Sequence, residues 1–91
     1  VGPVWYGGNK NEPELLKSCY TTALNLAKKN NIKTIAFPAI SCGVYNFPID
    51  KACKIAYDTV TEFINKYNCF EKIIFIDIND KIIETYRIIF N

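Results

Sequence analysis

The chain has 91 residues, 49% of them apolar, so it can enclose one small core and no more. Its 11 basic and 9 acidic side chains leave a net charge of +2, far below the density of a nucleic-acid-binding surface, and the lysines are scattered rather than clustered. No apolar run approaches the roughly 18 residues a membrane span needs, and no charged segment leads into an apolar one at the start, so neither a transmembrane helix nor a signal peptide is expected.

Residues 1–6 read as the end of a strand, and Gly7, Gly8, Asn9 and Lys10 as the loop that follows. Asn11 with Glu14 three positions on makes a capping-box pattern, and Pro13 falls in the first helical turn, where it is tolerated. Leu16, Tyr20, Ala23 and Ala27 recur at helical spacing beside Leu15, Cys19 and Leu24. This predicts an amphipathic helix to about Lys29, ended by Asn30 and Asn31. Thr34, Ile35, Ala36 and Phe37 form a short, continuously apolar run, which suits a parallel strand covered on both faces and closed by Pro38.

Residues 37–48 carry the most information. A strand-like segment breaks there into a turn of small residues, Ser41, Cys42 and Gly43, before a new helix start. Such a turn lets backbone N–H groups approach phosphate oxygens, an approach that bulky side chains would block. Tyr45 and Phe47 place two flat apolar faces beside this cradle, a combination that suits a nucleotide. Each aromatic has a second reading, as a cap on the core beneath the loop.

Pro48 sits near the start of a second helix whose stripe is Ile55, Ala56, Val60, Phe63, Ile64 and Tyr67, with Asn68 as its stop. Residues 72–76 form a second buried strand. Asn79 or Asp80 then caps a last helix carrying Ile82, Ile83, Tyr86, Ile89 and Phe90. Strand, helix, strand, helix, strand, helix is the pattern of a parallel α/β sheet with right-handed crossovers, and ligands of such sheets bind beyond the carboxyl ends of the strands. The loops at Gly7-Gly8, at residues 41–47 and at residues 77–80 all fall on that rim.

The four cysteines, Cys19, Cys42, Cys53 and Cys69, show no C-x-x-C spacing, which argues against a zinc ribbon or a redox pair. They read as buried or reduced thiols, suited to the cytoplasm. Histidine is absent, so neither a Ser-His-Asp triad nor a histidine metal site can be built from this chain alone, and Cys42 has no evident base. No metal and no cofactor is expected. Methionine is absent too, which points to a processed or cleaved piece.

Val1, Gly2, Pro3, Val4 and Trp5 with Gly7-Gly8, then Glu14, Leu15, Leu16, Cys19 and Tyr20, then residues 35–48 together closely resemble the carboxyl-terminal half of macro domains. The resemblance runs over nearly the whole chain. It is to the branch of ADP-ribosyl hydrolases and O-acetyl-ADP-ribose deacetylases, and it implies half of a three-layer α/β sandwich, βαβαβα, with parallel strands and helices on both faces. It also implies ADP-ribose, or an ADP-ribosylated conjugate, as ligand. The backbone N–H groups of Ser41, Cys42, Gly43, Val44 and Tyr45 would face the diphosphate, Asn46 lies in the same turn, and the Phe47 ring would pack near the distal ribose. Asn79 is a candidate for the adenosine end or a plain helix cap. Cys42 stands where the family commonly has Thr, so position 42 offers no hydroxyl and would serve through its backbone.

The family's catalytic loop has no counterpart in these residues, so no catalytic residue is assigned to this chain. The family sheet also places another strand between the one ending at Trp5 and the one at residues 35–37. The expectation is therefore a chain that pairs with a separate amino-terminal half or with a second copy of itself. A non-catalytic ADP-ribose reader, and an inactive fragment that self-associates, are the competing readings. Neither a membrane nor nucleic acid is an expected partner.

Overall fold

The computed structural model describes residues 4–38, 47–77 and 79–90. They form helix α1 (Glu12–Lys29), strand β1 (Thr34–Phe37), helix α2 (Ile49–Tyr67), strand β2 (Lys72–Phe75) and helix α3 (Asp80–Phe90). The helical periodicity decides which faces are buried. On α1 the inner stripe is Leu16, Tyr20, Leu24 and Ala27, and on α2 it is Ala52, Cys53, Ala56, Thr59, Val60 and Phe63. On α3 it is Ile82 and Tyr86. Helix α2 packs against both α1 and α3, and its small side chains at Ala52, Cys53 and Ala56 allow close approach of neighbouring elements.

β1 and β2 pair in parallel, with Thr34 opposite Lys72 and Phe37 opposite Phe75. The ladder continues past both ends: Glu71 N–H donates to the Lys33 carbonyl at 2.8 Å and Ile76 N–H to the Phe37 carbonyl at 2.9 Å. Ile35, Phe37, Ile73 and Phe75 join the helical core. Because successive side chains alternate between faces, Thr34 and Ala36 lie on the other side of β1, where both are exposed among the described residues.

The helix stops fall where the asparagines predict. Asn30 N–H donates to the Leu26 carbonyl, and Asn68, left-handed at φ 40°, closes α2 onto the Ile64 carbonyl. Two expectations at the amino end differ. Residues 4–6 form no strand among the described residues. The Tyr6 N–H, which a ladder would use, donates instead to the Glu12 carboxylate. The capping box is not formed either: Asn11 occupies the cap position in a left-handed conformation, φ 58°, and its side chain makes no cap hydrogen bond.

Candidate functional site

Of the residues predicted to hold a ligand, Ser41, Cys42, Gly43, Val44, Tyr45 and Asn46 lie outside the described residues. Phe47 and Asn79 lie within them. Phe47 is 2% exposed, and its ring meets that of Trp5 at a centroid distance of 4.8 Å and a tilt of 56°. The structure places this aromatic in the core, as its second reading has it.

Asn79 caps α3. Its Oδ1 accepts from the N–H groups of Lys81 at 2.9 Å and Ile82 at 3.3 Å, while its own N–H donates to Asp77 Oδ1 at 2.9 Å. The side-chain oxygen is engaged within the fold.

The residue that sequence reasoning missed is Glu12. It is 1% exposed, yet carries a carboxylate whose Oε2 accepts from the N–H groups of Tyr6 at 2.8 Å and Gly8 at 2.9 Å, and whose Oε1 accepts from Lys10 N–H at 2.5 Å. Gly7 and Gly8 hold φ near +95° and +92°, which lets the chain curl around the carboxylate with its amides turned inward. An acidic residue four positions after Gly8, at the first position of the helix, is the signal that was available.

Burial by itself would raise the Glu12 pKa, but the backbone N–H donors from Tyr6, Gly8, Lys10 and Glu12 itself favour the charged form and hold it down to about 2, below the usual 4.5. A depressed carboxylate contributes stability that is fully present above the unfolded value and is lost as pH falls through the folded one. The urea midpoint of the chain is thus expected to decline between pH 4.5 and about 2. In Glu12→Gln the same titration should be flatter over that window, and an unchanged slope would contradict the assignment.

A second buried group ties the end of β1 to the helices. The Tyr86 hydroxyl lies beside the polar ends of Cys53 and Tyr20, and Tyr20 O–H donates to the Pro38 carbonyl at 3.4 Å. Burial pushes both the Cys53 thiol and the Tyr86 phenol up in pKa, so Cys53 stays a protonated, unreactive thiol. No group of three His, Cys, Asp or Glu side chains that could hold a metal occurs among the described residues. In the same residues no helix is long and apolar enough to cross a membrane.

Two surface hollows, of about 410 and 460 Å³, share Phe75 and Phe90 on the flank of β2 and α3. Neither includes Trp5 or Phe47. They are gaps on the flank of β2 and α3, lined by charged as well as apolar side chains.

The sequence model of the macro domain family matches residues 1–56. An O-acetyl-ADP-ribose deacetylase of Klebsiella pneumoniae is 45% identical over 87 residues, covering 96% of this chain and 50% of that protein. Among solved structures, a variant of the Oceanobacillus iheyensis macrodomain with ADPR superposes with a TM-score of 0.88 at 33% identity, over 96% of this chain and 46% of that one. The Trypanosoma brucei macrodomain in complex with ADP gives a TM-score of 0.91 at 29% identity, over 100% of this chain and 37% of that one. The chain spans about half the length of the curated relatives it matches.

Proposed function

The chain belongs to the macro domain family, and from that membership we propose that it binds ADP-ribose, with residues 41–47 cradling the diphosphate. The observation that carries this reading is the seating of Phe47 against Trp5, directly after the small-residue turn. The backbone N–H groups of Ser41, Cys42, Gly43, Val44 and Tyr45 serve the phosphates, because that turn is small enough to admit them. Asn46 and Phe47 lie toward the distal ribose. Asn79, whose oxygen is spent on α3, has its amide nitrogen for the adenosine end.

We read residues 1–91 as the carboxyl-terminal half of the domain. The half-length match supports this, as does the exposed face of β1 at Thr34 and Ala36. A separate amino-terminal segment or a second copy of the chain completes the sheet. The whole protein then hydrolyses an ADP-ribose ester or an ADP-ribosyl-protein linkage, the likeness to a protein named O-acetyl-ADP-ribose deacetylase being the support. Amides aimed before reaction stabilise the diphosphate and hold the distal ribose in place. No proton-handling group is assigned here: Asp77 is engaged by the Asn79 backbone, and Asp80 opens α3. Cys53 and Cys69 form no disulfide among the described residues, which suits a cytoplasmic protein.

Titration calorimetry with ADP-ribose tests the binding. A saturable heat is expected, and a folded sample that gives none rules the reading out. Following acetate release from O-acetyl-ADP-ribose then separates hydrolysis from a reader, since binding without release leaves only the reader.

A further inference from the structure

We propose that Glu12 is a positioning residue for the ADP-ribose site, setting the Phe47 ring through Gly8 and Trp5. The inference rests on the assignment of Phe47 to that site.

The links run in one direction through the fold. The Glu12 carboxylate gathers the N–H groups of Tyr6, Gly8 and Lys10, which fixes the path of the Gly7-Gly8 loop. Gly8 lies against the indole of Trp5 so closely that a Cβ at Gly8 would stand 3.1 Å from Trp5 Cη2 and 3.5 Å from Cζ2. The same Trp5 ring meets Phe47, at 4.8 Å between ring centroids. Trp5 is half-buried and packs on the core as well as against Gly8, so the path of the loop is one of the two surfaces that set its ring. Phe47 in turn follows the residues that form the proposed diphosphate turn.

All three loop partners of Glu12 are donors, so the group they require is one that only accepts. A carboxylate meets that requirement with both oxygens. Glutamine keeps the size and shape but turns an NH₂ group toward at least one N–H, leaving that donor opposed rather than paired. Conservative replacement therefore should not rescue the loop.

The test uses the full chain, with ADP-ribose calorimetry and nuclear Overhauser cross-peaks between the Trp5 and Phe47 rings. Glu12→Gln, kept well below its melting midpoint and folded by circular dichroism, should show no Trp5–Phe47 cross-peaks and bind ADP-ribose about tenfold more weakly. Trp5→Leu should show a similar loss of affinity with the Glu12 clamp intact. If either folded variant binds within about twofold of the unsubstituted chain, the positioning role is overturned. If Glu12→Gln does not fold, Glu12→Asp, which keeps an acceptor-only carboxylate but shortens its reach to the loop, is read by the same two measurements with the same thresholds. Should the unsubstituted chain give no binding heat, the ADP-ribose reading itself fails. The link from Glu12 to Phe47 is then judged on the ring cross-peaks, which stand or fall independently of the ligand: their persistence in Glu12→Gln overturns it, and their disappearance upholds it.

Discussion

Gly43→Glu is expected to abolish ADP-ribose binding while leaving the circular dichroism of the chain unchanged. Gly43 belongs to the turn proposed to admit the diphosphate, and a glutamate there adds both bulk and a negative charge where phosphate oxygens belong. Two like charges about 4 Å apart repel by about 4 kcal/mol at an effective dielectric of about 20. That corresponds to a loss of roughly a thousandfold in affinity, before any steric cost. Gly43→Ala separates the two effects, since it adds a methyl group and no charge, and should cost far less. Calorimetry reads both. Undiminished affinity in Gly43→Glu would move the diphosphate elsewhere.

Leu24→Ala carries the largest expected effect on stability. Leu24 is 0% exposed and lies on the stripe of α1 that continues through Leu16, Tyr20 and Ala27. Removing its branched end leaves a void that tightly packed neighbours fill only in part, at a cost of about 2–5 kcal/mol. A domain of this size holds only about 5–15 kcal/mol in total, so the substitution consumes a large share. Urea denaturation should show a lower midpoint with an unchanged slope. By contrast Leu26, two positions on and 56% exposed, should tolerate the same change. Equal losses at the two positions would mean that the buried stripe of α1 is misassigned.

The elements that were legible are those set by short-range rules. Spacing finds the centre of each stripe, Leu16, Tyr20 and Ala27 on α1 and Ala56, Val60 and Phe63 on α2, but Leu15, Ile64 and Tyr67 are exposed and Ala52, Cys53 and Thr59 take the inner positions. Asn31 and Asn68 stand at the helix ends because asparagine tolerates the left-handed conformation needed there. β1 and β2 are legible as apolar runs between turn residues. Residues 4–6 were not, because a strand is defined by its neighbour and these residues have none among those described. Glu12 was hidden for a related reason. Its donors are gathered by a loop curve that Gly7 and Gly8 permit but do not announce, and the Asn11–Glu14 spacing offered a familiar template in its place. At the site, composition pointed to the turn at residues 41–43, whereas the packing of Phe47 on Trp5 depends on elements separated by the whole of α1 and β1.

The pairing of β1 with β2 also governs how the chain reaches its native state. Thr34 meets Lys72 only after all of α2 has been looped back between them. The hydrogen bonds of α1 and α2 are local and form within each helix, whereas the strand pair must first close a long loop. Refolding is therefore set by topology rather than by helix formation. Pairing of Ile35 with Ile73 and Phe37 with Phe75 must wait for that closure, and until then both strands present unpaired backbone to any other chain.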